Sequence, residues 1–182
     1  IKELLKKIEI GVVIKQDTLE KRAKIVYLGI GSNLGDKTRN IENAKIELVK
    51  NEIKILKCSS YYETLSWPNS NFPKFYNLVL KVKTKINKIR LLELCKNIEK
   101  SLGRKKSKKN SPRICDIDIL DYGGQKCETH LKLPHPRMHM RNFVLIPLFE
   151  VDNDWKHPIT KQHIKNLIFS LSNRDISSIK QI

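Results

Sequence analysis

The sequence lacks the features that would place it in several large classes. No apolar run approaches the roughly 18 residues that a membrane-spanning helix needs, so no transmembrane segment is expected. The four cysteines, Cys58, Cys95, Cys115 and Cys127, form no C-x-x-C pair, which excludes a zinc or dithiol motif of that kind. They read as reduced, mostly buried thiols of a cytoplasmic protein. Acidic residues are scarce: 19 Asp+Glu against 36 Lys+Arg leave a formal charge of +17. That excludes an acidic buffer protein and favours an anionic partner, whether nucleic acid, nucleotide phosphates or a membrane surface. No internal repeat or low-complexity segment appears. The charged start (IKELLKK) is followed by no small-residue cleavage site, so no signal peptide is expected.

What is present is enough for one folded domain. With 182 residues, 40% of them hydrophobic, the chain is too apolar for disorder. At this length it can bury roughly 70% of its unfolded surface without a disulfide or metal. Residues 1–23 read as an N-terminal extension or the tail of a preceding domain, and residues 24–182 as the domain itself. Residues 24–30 (KIVYLGI) are a β-branched, aromatic strand entering the turn Gly31-Ser32-Asn33-Leu34-Gly35. Ile41, Ala44 and Leu48 mark a helix, residues 53–62 a second strand and residues 77–83 a third. Leu91, Leu94, Cys95, Ile98 and Leu102 follow helical spacing up to Gly103. Residues 113–122 (RICDIDILDY) predict a strand, 123–124 a turn and 125–133 a return strand. Pro147 fits the first turn of a short helix over 144–150, and Ile164, Leu167, Ile168 and Leu171 mark a C-terminal helix. This order predicts an α+β fold: a ferredoxin-like sandwich with a largely antiparallel sheet flanked by helices.

The sharpest chemical feature is Asp116-Ile117-Asp118 within a strand. Period-two geometry sets the two carboxylates on one face, roughly 6.5 to 7 Å apart, with Cys115, Ile117 and Ile119 facing the other way. Such a pair suits a hard cation such as Mg²⁺, or it is an ordinary solvated strand face. Just upstream lies a run of cations from Arg104 to Arg113, which is either a phosphate clamp or a solvated loop in a Lys-rich chain. Residues 63–74 (ETLSWPNSNFPK) form a loop whose Trp67 and Phe72 serve a ligand or tuck onto the core. Glu99, His135, Arg141 and Phe143, each taken alone, read as structural.

Taken in order, five blocks closely resemble the 6-hydroxymethyl-7,8-dihydropterin pyrophosphokinase family. They are Gly31-Ser32-Asn33-Leu34-Gly35; Phe75-Tyr76-Asn77; Ile98-Glu99 with Leu102-Gly103-Arg104; Pro112-Arg113-x-x-Asp116-x-Asp118-Ile119; and Pro134-His135-Pro136 with Arg141-x-Phe143-Val144-Leu145-x-Pro147-Leu148-x-Glu150. The resemblance runs from about residue 25 to the C-terminal helix. It implies an enzyme of folate biosynthesis that moves diphosphate from ATP to the hydroxymethyl group of a reduced pterin, releasing AMP. It further implies two Mg²⁺ ions on Asp116 and Asp118, with Arg104 and Arg113 neutralising the transferring group. ATP contacts are implied at Glu99, Lys106, Lys109, Arg113, Ile119, His135 and Arg141. A pterin pocket is implied at Gly31, Thr64, Leu65, Ser66, Trp67, Phe75, Asn77 and Phe143, where Phe75 and Phe143 sandwich the heterocycle. The partners implied are ATP and a reduced pterin, with no nucleic acid and no membrane, in a monomer or one part of a multifunctional folate enzyme.

Three positions depart from the family pattern. Ser111 stands where Gly or Ala is common, Asn110 where some members carry Trp, and Lys106, a point charge, where Arg is frequent. The rival class is an RNA-recognition module, which would use the same positive charge. It needs aromatics on central strands, whereas residues 113–122 carry two Asp residues side by side and no central aromatic.

Overall fold

The computed structural model describes residues 23–66, 69–104 and 111–182. The expectations for residues 1–22, Trp67, Lys106 and Lys109 lie outside the described residues. Strand β1 (Lys24–Ser32) leads through Asp36, whose carboxylate accepts from the Arg39 amide at 3.0 Å, into helix α1 (Lys37–Lys50). Strands β2 (Lys54–Cys58), β3 (Tyr62–Thr64) and β4 (Phe75–Thr84) follow. Asn87 caps helix α2 (Lys88–Ser101) by accepting from Ile89 and Arg90. Then come β5 (Asp116–Tyr122), β6 (Cys127–Glu128), β7 (Lys132–Leu133), a 3-10 turn at Met138–Met140 and helix α3 (Asn142–Val151). The last elements are α4 (Ile164–Phe169), α5 (Asn173–Ser177) and β8 (Lys180–Gln181).

The main sheet is antiparallel, in the order β5-β1-β4-β3-β8, with β2 also paired to β4. Alternation along the strands splits the core into two clusters, one on each face. Val26, Leu28, Ile30, Leu80, Ile117 and Ile119 pack against Ile41, Ala44 and Leu48 of α1 and Leu91, Cys95 and Ile98 of α2. Tyr27, Val79 and Leu120 pack against Val144, Leu145 and Leu148 of α3, with Trp155, Ile164 and Leu167 behind. The α+β, helix-flanked antiparallel sheet is therefore as expected, and no helix among the described residues is long and apolar enough to cross a membrane.

Several local expectations are corrected. The single strand at 53–62 is two strands, broken where side chains replace ladder partners: the Ser59 hydroxyl accepts from the Val79 amide at 3.0 Å, and the Ser60 amide donates to Glu150. The segment 125–133 does not return along β5. Only Leu131 and Leu133 of its far end are buried, and β6 and β7 pair with each other in a separate two-stranded sheet. Pro147 lies inside α3, which starts at Asn142. The cost of a mid-helix proline, about 3 kcal/mol, is offset by burying Val144, Leu145, Leu148 and Val151 at roughly 1.5–3 kcal/mol each. Of the four thiols only Cys95 and Cys115 are buried; Cys58 is exposed and Cys127 half-buried.

Candidate active site

At one end of the sheet the second face carries chemistry instead of packing. Asp116 and Asp118 stand on β5 opposite Gly31 and Gly29 of β1, which in turn face Asn77 and Val79 of β4. The glycines leave a trough. A Cβ built on Gly31 would lie 2.9 Å from the Asn77 Oδ1 and 3.4 Å from the Phe75 ring, so any other residue there would fill the slot. On the far side of the trough, Asn77 donates to the buried Thr64 hydroxyl at 2.9 Å. Ser66 is buried beside it while Leu65 is exposed.

The two carboxylates sit in different fields. Asp116 accepts from Arg104 at 2.6 Å and from Arg113 at 2.9 Å. Although burial pushes its carboxyl up, Arg113 and Arg104 hold it below the usual carboxylate range. Among the described residues, Asp118 has no cation within hydrogen-bonding reach: His135 and Arg141 are each 3.9 Å away, and Lys96 and Arg113 act on it from farther off. Burial and the Asp116 carboxylate push it above its ordinary value. Desolvation, and next the Arg141 and Arg137 cations, lower the pKa of half-buried His135 to about 4 and keep it neutral. It reaches this position because its amide donates to the Leu120 carbonyl at 2.8 Å, returning the chain alongside β5. Half-buried Phe75 has the Arg113 guanidinium 5.8 Å from its ring centroid, and half-buried Phe143 has that of Arg141 at 5.3 Å. A cationic, ring-lined trough with two carboxylates can take a polyphosphate beside a flat heterocycle.

A profile of the 7,8-dihydro-6-hydroxymethylpterin-pyrophosphokinase (HPPK) family matches residues 27–153. This chain belongs to that family. An HPPK from Aquifex aeolicus is 42% identical over 141 residues, covering 77% of this chain and 88% of that protein. The folic acid synthesis protein fol1 of Pneumocystis carinii is 37% identical over 155 residues, 85% of this chain but only 21% of fol1. Among solved structures, a Plasmodium falciparum HPPK-DHPS with pterin and p-hydroxybenzoate shares the fold at a TM-score of 0.67 and 18% identity, covering 89% of this chain and 48% of that one. The chain thus spans most of a stand-alone HPPK, about a fifth of fol1 and about half of HPPK-DHPS.

Within this chain the residues named from sequence do not all meet. Arg104, Arg113, Asp116, Asp118, His135 and Arg141 converge on β5, and Gly31, Asn77, Thr64 and Phe75 line the adjoining trough. Ile119 turns its side chain into the opposite cluster. Glu99 is 1% exposed; it accepts from the Ile117 amide and from Lys96, each at 2.8 Å, and is paired with Arg104. Its visible work is to hold Arg104 and the start of β5. The turn after α2 delivers Arg104: Gly103 takes φ +100°, a left-handed conformation open to glycine, and the Arg104 amide donates to the Glu99 carbonyl.

Asn33 carries a role that the sequence analysis did not assign. It accepts from the Arg113 amide at 2.7 Å, donates its own amide to the Arg113 carbonyl at 3.1 Å and donates its side chain to the Pro73 carbonyl at 3.1 Å. It therefore joins the turn after β1 to the chain entering β5 and to the loop before β4. Its only sequence signal is membership of the Gly31–Gly35 block, because an Asn in a turn ordinarily satisfies local backbone.

Proposed function

We propose that the chain transfers diphosphate from ATP to the hydroxymethyl oxygen of 6-hydroxymethyl-7,8-dihydropterin. The oxygen bonds to the β-phosphorus, the bond between the β-phosphorus and the bridging oxygen to the α-phosphate breaks, AMP leaves and the hydroxyl proton is released. The observation that carries this reading is the convergence of Arg104, Arg113, Arg141 and His135 on two same-face carboxylates beside a glycine-floored trough.

The donor set fits Mg²⁺: both carboxylates are hard oxygen ligands on one face, and the like charge that pushes Asp118 upward is what a divalent cation would relieve. Two Mg²⁺ ions on Asp116 and Asp118 would neutralise phosphate charge and ease deprotonation of the substrate hydroxyl. Arg104 and Arg113, released from Asp116, offer planar forks to the phosphate oxygens. Lys106 and Lys109 would add point charges to the same phosphates. Neutral His135 can bond to nucleotide oxygens without carrying charge, and Arg141 supplies a cation beside Asp118. Phe75 and Phe143 would stack on the pterin, worth roughly 0.5–1.5 kcal/mol each beyond area burial. Asn77 and Thr64 would meet the heterocycle's polar edge, with Leu65, Ser66 and Trp67 closing that side through their backbone.

This reading places the chain in folate biosynthesis and in the cytoplasm, acting alone or as the pyrophosphokinase part of a longer protein. The test is AMP release by the purified chain with ATP and Mg²⁺, with and without 6-hydroxymethyl-7,8-dihydropterin. Pterin-dependent AMP is expected. Absence of AMP together with tight RNA binding would overturn the proposal in favour of a nucleic-acid module.

A further inference from the structure

The two sides of the proposed pterin pocket come from distant parts of the chain. One side is β3, where Thr64 is held by Asn77; the other is the start of α3, which carries Phe143. β3 is hydrogen-bonded within the sheet to β4 and β8, so no strand partner ties it directly to the start of α3. The segment of residues 172–182 makes that connection. The Asn142 side-chain amide donates to the Asp175 carbonyl at 2.6 Å and to the Ser178 hydroxyl at 3.0 Å. A few residues on, Lys180 and Gln181 pair with Glu63 and Tyr62, and the Ile182 amide donates to the Tyr61 carbonyl at 3.0 Å.

Asn142 also bonds to the ring-bearing residue itself. Its Oδ1 accepts from the Phe143 amide at 2.7 Å, so one side chain fixes both the ring-bearing residue and the connecting segment. Asn142 is buried, 9% exposed, whereas residues 172–177 are exposed. Hydrogen bonds, and not core packing, hold the segment in place. α3 has a second tie to the same strand at its other end, where Glu150 accepts from the Ser60 amide and from the Tyr62 hydroxyl at 2.9 Å.

We propose that Asn142 and residues 172–182 are positioning elements that set the separation between β3 and Phe143 and thereby the affinity for the pterin. The proposal rests on the pyrophosphokinase reading for the identity of the ligand. Among the described residues, Asp116 and Asp118 on β5 have no hydrogen bond to the segment, so the effect is expected to fall on one substrate. Arg141, next in sequence, is held separately through its amide to the Met138 carbonyl.

The test compares the full chain with Asn142→Asp, which keeps the oxygen facing Phe143 but loses the donor to Asp175 and Ser178, and with a chain ending at Leu171. For folded Asn142→Asp, which loses two hydrogen bonds, the pterin KM and the pterin dissociation constant are expected to rise roughly tenfold or more, with the ATP KM within about twofold. Adding a peptide of residues 172–182 to the shortened chain is expected to restore pterin binding in part. Equal weakening for both substrates, or unchanged pterin binding by a folded Asn142→Asp protein, overturns the proposal. Hydrogen exchange at the Thr64 and Phe143 amides separates the two readings. Faster exchange in Asn142→Asp supports the coupling even if wild type proves not to bind pterin, and unchanged exchange overturns it.

Discussion

Asp116 and Asp118 stand at one end of β5 and Asp121 at the other, on the same face of the sheet, yet their surroundings differ in kind. Asp121 is 4% exposed and accepts from the Trp155 indole at 3.0 Å and from the Gly124 amide at 2.8 Å. Its partners are neutral and belong to the fold, and burial pushes its carboxyl up. Asp116 and Asp118 are approached by Arg104, Arg113 and Arg141, whose side chains keep 17–29% of their surface exposed. A carboxylate satisfied by fixed neutral donors holds structure together. Two carboxylates sharing partly exposed cations over a floor of glycines form a place for a charged ligand.

The sharpest way to break that contrast is Asp118→Asn. Pterin-dependent AMP release is expected to fall by at least about 1000-fold. Stability moves the other way. The folded carboxyl titrates above its unfolded value, so its ionised form costs the folded state, and stability is lost as pH rises through that interval. An uncharged Asn removes that cost, and the melting temperature at pH 7 should rise. Unimpaired turnover would end the metal assignment.

Asp121→Ala tests the other end. It leaves the indole and amide donors unpaired at a cost of about 2 kcal/mol, or roughly 4–8 °C in melting temperature. Turnover per folded molecule should hold. A variant that melts like wild type but does not turn over would invert the comparison.

Phe143→Ala should raise the pterin KM roughly tenfold with little change for ATP, measured by steady-state kinetics with each substrate varied in turn. Equal losses would make this ring part of the core.

The smallest effect is expected from His135→Gln. The folded imidazole titrates at about 4, below its ordinary 6.5, so on acidification the unfolded chain takes up the proton first. The stability His135 contributes is present above pH 6.5 and is lost as pH falls towards 4. At pH 5 the variant should retain on the order of 1 kcal/mol that wild type loses, read from denaturant titrations at pH 7 and pH 5. Parallel pH profiles would show that His135 is not held neutral.

How far this contrast could be read from the chain differs between its ends. The same-face placement of Asp116 and Asp118 follows from alternation alone and is met in the structure. Asp121 should by the same rule face α1 and α2, but a bulge at Leu120 shifts the register against β1 and places Leu120 and Asp121 together on the α3 side. No residue in DIDILDY announces that shift. Glu99 was legible as a helical Glu of a family block, while its bonds to the Ile117 amide and Arg104 depend on how α2 packs against β5. Asn33 and Asn142 were illegible as hubs because their partners lie about 30 to 80 residues away.

By itself, the sequence determined the periodic things: the strands and helices with one apolar face, the antiparallel α+β arrangement, the carboxylate pair and the ordered blocks that mark the family. These follow from local geometry, in which side chains repeat every two or about 3.6 residues whatever lies beyond. Tertiary structure alone decided where the ladder breaks at Ser59 and Ser60, where β5 bulges, that His135 returns beside Asp118, and that residues 172–182 bridge β3 and α3. Each of these is set by pairing or hydrogen bonding between segments far apart in the chain, which exists only once packing has brought them together.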